Sequence, residues 1–273
     1  MPDELQQQQS VLAIRLYGEF RKQLDAAPKG GRMMPYRWWS LPQPLSGLWM
    51  VYATQLDEYA TDLANIINSL THHVARLRAW SIVVEPLSAD DKLAVAHEFV
   101  DDLGTVALGL PYAIKSRFTL AALALCHQAN RAKDMEGWVD VLPDKRAFYL
   151  NDIDPHCQGW KAFRGFKLKV EPLAGRAFKA DTADFRNAYN HGFSSRFLVG
   201  ITAMMRRIVA KDGSVAYGYG GREPLQLAQI ADLLSKERDL CYAAFEKFQA
   251  LVVEQIEAIA NFDASVPDGR PDI

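Results

Sequence analysis

The chain has 273 residues, 49% of them hydrophobic and 23% charged, with a formal net charge of -2 and a pI near 6.3. These are the proportions of a globular protein with ample material for a core, and they exclude an overall basic nucleic-acid binder while leaving local basic patches open. Three cysteines, Cys126, Cys157 and Cys241, are far apart and in no metal-like pairing, which excludes a disulfide framework and argues for a reduced, cytoplasmic setting.

Ile14, Leu16, Tyr17, Phe20 and Leu24 predict a first helix over 12–24, stopped by Pro28-Lys29-Gly30-Gly31. The segment 33–44 follows, rich in proline and tryptophan. Its adjacent Trp38 and Trp39 read as an extended strap whose rings pack across helices, with a partner-binding surface as the alternative. Apolar residues at spacings of three and four from Leu48 to Trp80 predict a helix of about 30 residues. His72 and His73 fall inside it about 100° apart, too divergent to chelate one ion together.

Ser88, with acidic residues after it, predicts the start of a helix carrying Leu93, Val95, Phe99, Val100 and Leu103. Pro111 suits the first position of another helix, expected to run from Tyr112 to Ala132 with Ile114, Phe118, Ala121, Leu125 and Ala129 on its buried face. No segment approaches the roughly 18 apolar residues of a membrane span. The N-terminus is acidic and glutamine-rich, unlike a secretory signal.

From 137 to 180 periodicity is lost, and prolines and glycines predict irregular structure or short strands. Glu136-Gly137-Trp138 reads as exposed loop. The end of this stretch is basic: Lys161, Arg164, Lys167, Lys169, Arg176 and Lys179 stand against the single acid Glu171, with Trp160, Phe163, Phe166 and Phe178 interleaved. Such a mixture suits single-stranded RNA, where cations follow phosphates and rings stack on bases. The opposing reading is a solvated loop anchored to the core by its aromatics.

Asp181-Thr182-Ala183-Asp184 predicts a cap for a short helix, Phe185-Arg186-Asn187-Ala188-Tyr189-Asn190-His191, with Gly192 either ending it or allowing close packing. Asn187 and His191 share a face of that helix, whereas Arg186 and His191 lie about 140° apart. Arginine offers a rigid donor fork to phosphate, and histidine exchanges protons near neutral pH. Lys211-Asp212-Gly213 between β-favourable runs predicts a hairpin over 204–219. Pro224 opens a closing helix to about Ala260, and 263–273 reads as a tail. The expected fold is mainly α, one helical bundle over 1–273 with a small β-hairpin.

The pattern Arg186-Asn187-x-x-x-His191-Gly192, late in a helical chain, resembles the signature of the HEPN superfamily. The match covers about seven residues and the helices around them. The resemblance implies a metal-independent endoribonuclease or RNA-binding protein, working as a homodimer whose two motif helices form a composite cleft. In that arrangement Arg186 holds the scissile phosphate, His191 acts as general base or acid, and Asn187 positions one of them. It further implies a toxin–antitoxin or phage-defence setting with an antitoxin or regulatory protein as partner, and no metal or other cofactor. The alternative reading is a non-catalytic helical protein-interaction module. A second cluster, Asp152, Asp154, His156 and Cys157, lacks zinc-site spacing, and nothing in the sequence names a base for a Cys157 nucleophile.

Overall fold

The computed structural model describes residues 2–27, 30–142, 148–210 and 212–265. Pro28, Lys29, Pro143, Lys211 and residues 266–273 of the expected tail lie outside the described residues. The fold is mainly α with one two-stranded antiparallel hairpin. The helices are α1 (Pro2–Ala26), α2 (Met50–Val84), α3 (Ala89–Val95), α4 (Asp101–Ala129), α5 (Asp154–Cys157), α6 (Phe163–Val170), α7 (Arg176–Asp181), α8 (Phe185–His191) and α9 (Leu227–Ser265). The hairpin strands are β1 (Met205–Val209) and β2 (Val215–Tyr219). None of the described helices is long and apolar enough to cross a membrane.

Cα packing divides the chain into two compact units. The first comprises 1–32, 70–110 and 174–236; the second comprises 33–69, 111–173 and 237–273. α2, α4 and α9 each contribute a length to both.

In the first unit the core is an aromatic stack. Phe20 lies over Trp80 at 4.6 Å, and Trp80 over Phe99 at 4.9 Å. Arg78 on α2 ties to α9 through Asp232 and the Ser235 hydroxyl, the latter at 2.8 Å. Ser88 caps α3, its Oγ accepting from the Asp91 N–H as the sequence anticipates. Past α3 the helix does not stop. It passes through a π-helical turn at Ala96–Val100 into α4.

Pro111 therefore sits inside a helix, not at the start of one. A mid-helix proline removes one hydrogen bond and crowds the preceding turn. Here Ala107, Leu108, Pro111 and Ile114 are all buried, and that continuous packed face outweighs the local penalty. Gly104 on the same helix leaves space for the Phe197 ring, since a Cβ there would stand 2.6 Å from it.

In the second unit the strap does pack its tryptophan inward. Trp38 meets Phe245 and Phe248 edge-on at 6.2 and 6.4 Å, and Asn68 holds the Met34 backbone from both sides. Tyr52 donates to Gln255, whose amide donates to Cys126 Sγ, so the buried polar groups satisfy one another. The stretch expected to be irregular contains α5 and α6 here, and α7 in the first unit. Trp138 is half-buried, not part of an exposed loop: its indole donates to the His127 carbonyl at 2.8 Å, and Arg131 lies over its ring.

Candidate functional site on α8

α8 is attached by one apolar face. Phe185 and Ala188, three apart, are buried, and the Phe185 ring packs on Phe197 at 5.4 Å. Phe197 in turn occupies the space that Gly104 leaves on α4. This anchoring turns Arg186, Asn187, Tyr189, Asn190 and His191 outward, and all five are exposed.

The approach to α8 departs from the expected cap. Asp184 occupies the N-cap position but makes no capping hydrogen bond from its side chain. Ala183 and Asp184 are both left-handed, each with φ of 50°, because the chain reverses directly from α7 into α8. Thr182 closes the end of α7 from within, buried, with its hydroxyl donating to the Phe178 carbonyl. Gly192 ends α8 as anticipated, its N–H still bonded to the Ala188 carbonyl.

Asn187 and His191 line one shallow depression of about 220 Å³, together with Asp184, Gly192, Phe193 and Arg222. Arg186 does not line it, in keeping with its angular separation from His191 on the helix. The cation beside the histidine is Arg222, which sequence reasoning did not single out. Residues 194–202 return along 222–225: Thr202 and Arg222 exchange backbone hydrogen bonds, while the Leu198 N–H donates to the Leu225 carbonyl and the Leu225 N–H to the Arg196 carbonyl. This ladder fixes the Arg222 backbone, and its Nη1 donates to the Phe193 carbonyl at 3.0 Å. One donor of the guanidinium is used there, and the fork has further donors for an anion.

The six basic residues expected to bind RNA fall into different settings. Lys161, Arg164 and Lys169 are exposed in the second unit. Lys167 there is paired with Asp154, its Nζ 2.6 and 2.7 Å from the two carboxylate oxygens. Arg176 and Lys179 are exposed on α7 in the first unit, which also holds α8. The interleaved rings are not available for stacking on bases. Trp160, Phe163, Phe166 and Phe178 are all buried, so these aromatics anchor the segment to the core. Glu254 fixes the start of this stretch, accepting the Lys161 and Ala162 backbone N–H groups on its two oxygens.

Two other places carry polar chemistry. In the first unit a cavity of about 830 Å³ is bounded by α1, α3 and the π-helical turn, with His97, Glu98, Asp101 and Arg196 among its walls. Burial raises the Asp101 carboxyl above its ordinary range, against the opposing pull of His97 and Arg196. In the second unit the His127 imidazole is buried with Nε2 2.8 Å from Asp140, and burial lowers neighbouring His156. Cys157 is buried and directs its thiol at the Ala122 carbonyl, a packed position with no access for a substrate. Among the described residues no group of three or more histidines, cysteines and acids is arranged to hold a metal.

No family model, curated protein or solved structure matches this chain.

Proposed function

We propose that this protein binds and cleaves RNA without a metal ion, with α8 as its catalytic element, as the HEPN resemblance of Arg186, Asn187 and His191 implies. The observation that carries the reading is the depression on α8, where a histidine, an amide and an arginine meet at an exposed helix face. A general base, a positioning group and a phosphate-holding cation are what transfer to a ribose 2′-hydroxyl requires. His191 takes the 2′-hydroxyl proton as that oxygen attacks phosphorus. The P–O5′ bond breaks, and the departing oxygen collects a proton from a second acid or from water. The products are a 2′,3′-cyclic phosphate and a 5′-hydroxyl.

Arg222 holds the phosphate beside His191, and Asn187 orients it. Arg186, on the neighbouring exposed face, serves the composite cleft of a homodimer, reaching the phosphate held at the partner's α8. A toxin or defence role with a regulatory protein belongs to this same reading.

The test is cleavage of mixed cellular RNA in EDTA by wild type, His191→Ala and Arg186→Ala, with end-group analysis and solution mass. Cleavage by wild type that both folded variants lose, leaving cyclic phosphate ends, is the expected result. An inert wild type, or three proteins that cut alike, would remove the catalytic reading and leave the helical interaction module in its place.

A further inference from the structure

The hairpin is the most unusual surface of the first unit. A two-stranded ribbon is marginal in water without a layer to cover it. Among the described residues none is supplied, for Met205, Ile208, Val209, Val215, Tyr217 and Tyr219 are all exposed. Tyr219 is 94% exposed and Tyr217 67%. Alternation along β2 puts these two rings on one side of the ribbon, about 6.7 Å apart along the strand. The register sets Arg207 directly opposite Tyr217 and Met205 opposite Tyr219, so that same side carries a cation on the neighbouring strand.

The register is firmly held. The Ala210 N–H bonds the Ser214 carbonyl, Gly213 adopts a φ of +83°, and Asp212 accepts from both the Ser214 N–H and its hydroxyl. At the other end the Gly220 N–H bonds the Met204 carbonyl, and the pairing of Thr202 with Arg222 continues toward the α8 depression. Charge distinguishes the occupant. From Phe193 to Glu223 the cations Arg196, Arg206, Arg207, Lys211 and Arg222 stand against Asp212 and Glu223, in a chain whose formal net charge is -2.

We infer that the β1–β2 ribbon is a single-stranded RNA platform, with bases stacking on Tyr217 and Tyr219 and Arg207 holding the phosphate between them. Exposed rings on a strand accept unstacked bases of any sequence, and neighbouring cations follow the backbone. A protein surface is the poorer match, because a partner seated there would have to compensate the net positive charge of the 193–223 sequence. The inference rests on the RNA reading of α8 for its substrate class and adds the surface that holds the strand.

The experiment uses the full chain in EDTA and a fluorescein-labelled 2′-O-methyl oligouridylate. Its blocked 2′-oxygen prevents cyclisation, so binding is read without cleavage. Anisotropy titrations compare wild type with Tyr217→Ala, Tyr219→Ala, Arg207→Ala, Tyr217→Phe and Tyr219→Phe. Base–aromatic stacking of roughly 1–3 kcal/mol converts to a loss of about 5- to 150-fold for each tyrosine-to-alanine change. The phenylalanine variants should bind within about twofold of wild type, since the ring face is kept. Arg207→Ala should lower the slope of log affinity against log salt by about 0.7, the share of one single-strand phosphate. Circular dichroism confirms that each variant is folded.

Alanine variants that bind like wild type would overturn the platform, whether or not wild type cleaves unmodified RNA. So would alanine variants that change solution mass while RNA affinity stays the same, which would make the ribbon an interface between copies. If wild type binds and the alanine variants do not, the platform stands even where the cleavage assay shows no product. Failure of wild type to bind the oligouridylate would remove the platform, and the cleavage assay alone would then decide the α8 reading.

Discussion

Two stretches of this chain mix cations with aromatic rings, and they do opposite things with the rings. In 160–179 the rings of Trp160, Phe163, Phe166 and Phe178 are buried while most of the cations face out. In 205–219 the rings of Tyr217 and Tyr219 are exposed beside Arg207. Composition does not separate the two; spacing and covering layers do. Phe163, Phe166 and Val170 recur at three and four residues, the stripe of a short helix that has a core to lie on. Tyr217 and Tyr219 recur every two residues on a ribbon that stays uncovered among the described residues of its unit.

The largest test of this contrast is stability. Phe166 is fully buried, with its ring 5.9 Å from Phe118 and 6.2 Å from Phe248. Phe166→Ala should cost about 3–5 kcal/mol, read by urea denaturation. Tyr219→Ala should change stability by no more than about 0.5 kcal/mol. Equal costs at the two positions would erase the distinction between an anchoring ring and a binding ring.

The long elements were legible because periodicity survives over many turns. Periodicity places α2, α9 and the Asp-Gly hairpin close to their observed bounds and Ser88 as the cap it is, whereas α1, expected over 12–24, begins at Pro2 because its polar first turns carry no apolar stripe. α5, α6 and α7 span four, eight and six residues, too few turns for a period to rise above the surrounding prolines and glycines. Pro111 misled because a local rule was applied where buried packing on both sides decides. At the candidate site, the separation of Arg186 from His191 followed from helix geometry alone. Arg222 was invisible to it, since only the pairing of 194–202 with 222–225 brings that residue back to α8. The Gly220-Gly221 pair before it was the one available cue, and glycines there fit a close approach: a Cβ on Gly221 would stand 2.3 Å from Ile201.

The entries into α6 and α8 also differ, and this predicts a smaller effect of opposite sign. The chain enters α6 with two backbone N–H groups satisfied by the Glu254 carboxylate. It enters α8 through Ala183 and Asp184, both left-handed, without a side-chain cap. A left-handed alanine costs roughly 1–2 kcal/mol, whereas aspartate tolerates the region better. Ala183→Gly relieves that strain, and glycine's extra freedom in the unfolded chain takes back roughly 0.4–1 kcal/mol. The variant should therefore be more stable by up to about 1.6 kcal/mol, seen as a raised urea midpoint with unchanged slope. A lowered midpoint would mean that Ala183 makes a compensating contact.

The smallest effect concerns the cations themselves. Lys167 follows Phe166 in sequence and Arg207 faces Tyr217 across the strands, yet the Lys167 ammonium is engaged by both oxygens of Asp154 and its stem is only partly exposed. A partly solvated pair of this kind contributes roughly 0.2–1 kcal/mol. Lys167→Ala should therefore lower stability by no more than about 1 kcal/mol. Because the charge is already neutralised locally, the salt dependence of oligouridylate binding should not move. Arg207→Ala should show the reverse, with unchanged stability and a reduced salt slope. A salt slope that falls with Lys167→Ala would mean that the ion pair opens to phosphate, and the basic face of α6 would join the ribbon as RNA-binding surface.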